Sequence, residues 1–96
     1  MKVTFDLAAR DDLDRIFEWI SRDNPRAALS MIDRIERKTM QLAIPALAEM
    51  GRPGLAEDTR ELLEWPYVIV YKVDDNLQEI IIVAVVHGAR SRLDPD

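Results

Sequence analysis

Few residues in this chain are equipped for chemistry. Its 96 residues include a single histidine and no cysteine, which excludes thiol nucleophiles, disulfides and thiolate metal sites. The histidine, His87, follows the run Ile80-Ile-Ile-Val-Ala-Val-Val86 and opens the segment His87-Gly-Ala-Arg90, with Arg92 close behind. A neutral imidazole, with its usual pKa of about 6.5, serves as base or acid near neutrality. One histidine among scattered acids does not make a metal site. Gly51-Arg-Pro-Gly54 lacks the spacing and following helix of a phosphate loop and reads as a turn. No cofactor is expected.

The run that carries His87 also organises the fold. Seven consecutive apolar residues, six of them β-branched, cannot be amphipathic and predict a central strand buried on both faces. Ahead of it, Met1–Phe5 alternates as a short strand, and Asp6 is placed to cap a helix. Ala9, Leu13, Ile16, Phe17 and Ile20 recur at helical spacing, while Asp11, Asp12, Asp14, Arg15 and Glu18 take the solvated side. Asn24-Pro25 restarts a second helix, whose stripe is Ala28, Met31, Ile32, Ile35, Thr39 and Leu42. The short connection makes the two an antiparallel hairpin, and Pro45 ends the second helix. Ala46–Asp58 reads as irregular loop. Strands follow at Thr59–Leu63, Tyr67–Val73 and Leu77–Val86, with Trp65-Pro66 and Asp74-Asp75-Asn76 as breaks. The order β-α-α-β-β-β predicts one α+β domain over residues 1–96, a helical hairpin packed on a small antiparallel sheet.

Net charge is −5, with eight Lys/Arg against nine Asp/Glu in residues 1–50 and five against nine in 51–96. The half containing the central strand therefore has the wrong sign for gripping phosphates by bulk electrostatics. No apolar run is long enough for a membrane helix, and Met1-Lys2-Val3 starts no signal peptide, so a cytosolic location is expected.

Several stretches carry a family resemblance in their order and spacing. They are Ala9-Arg-Asp-Asp-Leu13 with Ile16 and Trp19-Ile20, then Asn24-Pro25-Arg-Ala-Ala28, Gly51-Arg-Pro-Gly54 and Thr59-Arg-Glu-Leu62. Tyr67-Val-Ile-Val-Tyr71 and Val86-His-Gly-Ala-Arg90 complete the set. The chain resembles the RelE/ParE superfamily of toxins from bacterial type II toxin–antitoxin modules over nearly its full length. The resemblance implies a cognate antitoxin whose C-terminal segment wraps the toxin, with operator DNA reached only through that antitoxin. It also implies one of two targets: RelE-like members cut mRNA on the ribosome, whereas ParE-like members inhibit DNA gyrase.

Under mRNA cleavage, His87 matches a strand-end histidine of the family, with Arg60 and Arg90 supplying positive charge and Glu61 or Glu64 a general base. The tail Ser91-Arg-Leu-Asp-Pro-Asp96 lacks the tyrosine that cleaving members often use, and basic residues are sparse. These departures favour the ParE-like branch, acting by protein contact. An inert antitoxin-binding co-repressor is the third alternative. The candidate antitoxin contacts are Trp19, Trp65 and Arg52, and an acidic toxin calls for an antitoxin tail rich in Lys/Arg. Each residue also has a plainer role: His87 as a chain turn, Trp65, Tyr67 and Tyr71 as packing, Trp19 as hairpin core, and Met31, Met40 and Met50 as gap filling.

Overall fold

A computed structural model describes residues 1–88 of the chain. Strand β1 (Lys2–Phe5) leads into helix α1 (Leu7–Ser21), and helix α2 (Pro25–Met40) returns. Both helix starts follow from local chemistry. The Asp6 carboxylate accepts from Ala9 N–H at 2.9 Å, and the Asn24 side chain accepts from Ala27 N–H at 3.1 Å. Each satisfies one of the amides that a first turn leaves free. The α-helix stops at Met40 rather than running to Pro45, and a tighter 3-10 turn, Gln41–Ala43, carries Leu42 into the core. A second such turn spans Pro45–Leu47.

The remaining strands are β2 (Arg52–Pro53), β3 (Arg60–Glu64), β4 (Tyr67–Asp74) and β5 (Glu79–His87). The loop expected over Ala46–Asp58 thus holds a short strand, too brief to show any alternation. One sheet forms in the order β1-β5-β4-β3-β2. Strands β3 to β5 are antiparallel, as expected, and β2 joins them antiparallel, but β1 pairs with β5 in parallel, so the sheet is mixed. The helical hairpin carries the chain from β1 to the opposite edge. Successive hairpins then bring β5 back beside β1, pointing the same way.

Both helices lie on one face of the sheet. Val3, Phe5, Leu62, Ile69, Tyr71, Ile80, Ile82 and Val85 meet Ala9, Ile16 and Ile35 there, and Leu42 closes the same core. The opposite face keeps Ile81, Ala84 and Val86 only half-buried. Burial of β5 on both faces was the wrong expectation, because a chain this short supplies a single helical layer. Between the pairs Tyr71↔Ile82 and Val70↔Ala84, β5 holds one extra residue, Val83. Past that bulge Asp12 turns inward from α1, against its expected solvated side, and accepts the Val85 N–H at 2.9 Å. Strand β1 ends too early to reach this amide, since its pairing with β5 stops at Ile82. No helix among the described residues is long and apolar enough to cross a membrane.

Asp12→Ala leaves a partly buried strand amide without its charged acceptor. It should lower stability by about 1–2 kcal/mol, read as an earlier midpoint in urea unfolding. An unchanged midpoint would contradict this role for Asp12.

Candidate functional site

The sheet sorts the polar side chains into two groups, at opposite ends of β4. At one end, β3 turns through Trp65-Pro66, a cis peptide bond, into β4. His87, Tyr67 and Glu64 then stand in register across three strands. The exposed imidazole meets the Tyr67 ring edge-on, with centroids 5.6 Å apart. Glu64 is held by Arg34 of α2 at 2.7 Å. The Gly88 N–H donates to the Pro66 carbonyl at 2.7 Å, which fixes the direction in which the chain leaves the sheet.

The second group surrounds Arg60. Its guanidinium donates to the Gly51 carbonyl at 2.9 Å, to the Glu49 carbonyl at 3.2 Å and to the Glu49 carboxylate at 3.0 Å. The Tyr71 hydroxyl accepts the Gly51 N–H at 3.0 Å. That approach requires glycine: a Cβ at residue 51 would lie 2.8 Å from both the Glu61 carbonyl oxygen and the Tyr71 hydroxyl. Next to Arg60 on β3, Glu61 is only 5% exposed. It receives Arg52 at 3.3 Å and the Leu55 N–H at 3.3 Å.

His87 and Arg60 are not brought together. Their partners on β4, Tyr67 and Tyr71, lie four residues apart, and β4 itself lies between β3 and β5. Strand geometry therefore separates the two residues by about 16 Å, some 13 Å along the strand and two strand spacings across. Arg90 and Arg92 fall outside the described residues. Glu64 and Glu61 are each engaged by an arginine, as Arg52 is by Glu61.

Among the described residues the exposed aromatics are the two tryptophans and, at the margin of its helical stripe, Phe17. Trp19 is 68% exposed, so the hairpin core is completed without it, and the Arg22 guanidinium lies 5.7 Å from its ring centroid. Trp65 is 65% exposed at the strand corner. Tyr67 and Tyr71 are buried packing residues, and Met31 packs against the core, whereas Met40 and Met50 are exposed rather than filling gaps. The braces made by Asp12, Arg34, Glu61 and the Tyr71 hydroxyl were missed from sequence. Only Gly51, within a turn-like Gly-x-x-Gly, gave any hint of close backbone approach.

A helical hairpin covering one face of a mixed sheet is the architecture of the RelE/ParE superfamily toxins. A chain of the chromosomal ParDE toxin–antitoxin system from P. aeruginosa superposes with a TM-score of 0.77 at 26% identity, covering 91% of this chain and 95% of that one. A chain of the RelBE2 toxin–antitoxin complex from Mycobacterium tuberculosis shares the fold, with a TM-score of 0.63 at 24% identity over 90% of this chain and 95% of the other. Y4kP of Sinorhizobium fredii (strain NBRC 101917 / NGR234), whose name carries the word toxin, is 35% identical over 92 residues, which is 91% of this chain and 88% of that protein. Residues 3–92 match the family described as the ParE toxin of the type II toxin–antitoxin system parDE. The chain belongs to that family of toxins.

Burial raises the pKa of both phenols above the ordinary value of 10.0. At Tyr71 the bond from Gly51 and the charge of Arg60 oppose the rise, and Glu49 adds to it. A phenol whose folded pKa exceeds its unfolded one contributes stability that is full below the unfolded pKa. That contribution is lost as pH rises through the folded pKa. Absorbance titration of the native protein at alkaline pH should therefore show both tyrosines ionising above pH 10, with stability falling over the same window. Ionisation at or below pH 10 would contradict the burial of these hydroxyls.

Proposed function

We propose that this toxin inhibits DNA gyrase by protein–protein contact, without hydrolysing RNA, and is silenced by a cognate antitoxin. The observation that carries the proposal is the commitment of Arg60. Its fork is spent on the 49–51 loop, about 16 Å from His87 by strand geometry. Cleavage of RNA asks for a base, an acid and a charge stabiliser around one phosphate. Among the described residues of the sheet half, Arg52 and Arg60 are both ion-paired, which leaves Lys72 as the remaining cation. Positive charge there is offset locally instead of being gathered on one spot.

The antitoxin half of the proposal draws on the likeness to chains of toxin–antitoxin systems from P. aeruginosa and M. tuberculosis. Trp19 is the first anchor proposed for the antitoxin, because a large ring held in the open by Arg22 suits an apolar pocket on a partner. Trp65 and Arg52 extend the candidate contacts. The acidic balance of the chain favours an antitoxin tail carrying Lys/Arg between apolar residues.

Purified toxin added in stoichiometric excess should block supercoiling by gyrase, and His87→Ala should keep that potency within about twofold, as expected for a residue outside the contact. Unimpaired supercoiling overturns the proposal. Codon-phased mRNA cuts in a translation extract, abolished by His87→Ala, would put a ribosome-dependent endonuclease in its place.

A further inference from the structure

We infer that the tip of the β2–β3 hairpin, residues 54–59, is the surface that grips the protein target, and that the target receives Leu55 in a small apolar pocket bordered by cationic side chains. The inference rests on the proposed action by protein contact and adds to it the site of that contact.

The tip is braced from inside. Gly54 N–H donates to the Thr59 carbonyl at 2.8 Å, and Thr59 N–H donates to the Ala56 carbonyl at 3.2 Å. The Thr59 hydroxyl donates to the same Ala56 carbonyl, and the Glu61 carboxylate takes the Leu55 N–H at 3.3 Å. Glycine suits position 54, since a Cβ there would run into the Thr59 hydroxyl. Burying a carboxylate such as Glu61 is costly unless it is well bonded, and one of its bonds fixes the backbone of a residue whose own side chain is 70% exposed. Holding a leucine still in water adds no burial to the free chain. It does lower the ordering cost when a partner arrives.

The surroundings select the partner's chemistry. Glu57 and Asp58, both exposed, follow Leu55 in the tip and form no ion pair among the described residues. Beside the tip, an open depression is lined by Glu49, Asp58, Arg60, Lys72 and Asp75, three carboxylates against two cations. Arg60 is already committed to Glu49. A cationic rim on the target complements this field.

Position separates the tip from the antitoxin anchor. Helix α1, which carries Trp19, packs by β1 and β5, whereas the tip belongs to the opposite edge of the sheet. Of the proposed antitoxin contacts only Arg52 lies near the tip, at its base on β2, and the target contact is confined to residues 54–59 beyond it.

Leu55→Glu tests this, with the full-length toxin, intact gyrase and the antitoxin encoded beside it. The variant should need at least about tenfold more protein for half-inhibition of supercoiling, while its melting temperature and its affinity for the antitoxin stay at wild-type values. Gly54→Ala, which keeps Leu55 but loosens its brace, should lose potency in the same direction. Wild-type potency of Leu55→Glu, or a parallel loss of antitoxin affinity, overturns the inference. If the unmodified toxin leaves gyrase untouched, the gyrase proposal falls alone, and growth arrest on expression becomes the readout. A Leu55→Glu toxin that arrests growth as wild type does, or an unmodified chain that arrests none, then overturns the tip.

Discussion

A five-stranded sheet in a chain this short can be covered on one side only, and most other features follow from that shortage. Tyr67, Ile69, Tyr71, Ile80, Ile82 and Val85 of β4 and β5 face the helices and are enclosed, with Val73 partly so, and they hold the helical hairpin in place. On the other face Val70, Ile81, Ala84 and Val86 remain half-open, and Val68 is enclosed. One-sided burial is common where a sheet is largely antiparallel, but here it occurs in a strand whose sequence looks like the interior of a two-sided sandwich.

With little core to spare, polar side chains take over positioning work. Tyr71 reaches out of the core to hold Gly51, Arg60 clamps the same loop, and Glu61 anchors Arg52 and Leu55. Arginine suits this use because its planar fork can satisfy several oxygens at once. The electrostatic consequence matters for function. Arg52 and Arg60, the two arginines of the sheet half among the described residues, are each paired with a carboxylate of the loop or strand they support.

Local signals made much of the fold legible. Helical periodicity and two capping residues located both helices, and turn residues separated the last three strands. Topology was less accessible: the parallel pairing of β1 with β5 joins residues almost eighty positions apart, and no periodicity encodes it. β2 was invisible because two residues show no pattern. The candidate site was read less well than the fold. Residue type singled out His87 and Arg60, yet their separation depends on strand register. Likewise, the inward turn of Asp12 depends on where β1 happens to stop. Trp19 lay between two readings because a ring at the edge of an apolar stripe can go either way.

The extra residue in β5 acts as a parity switch. Up to Ile82 the even-numbered side chains face the helices, whereas beyond Val83 the odd-numbered ones do. In a uniformly apolar run, nothing in the residue types announces the change. The histidine's side of the sheet is thus decided by a count and not by a preference. Pairing Val83 regularly, without the bulge, would keep every residue type in the strand's exit and still send the imidazole to the opposite face, away from Tyr67. Relatives that keep the same residues but pair this strand without the bulge would therefore present different surfaces.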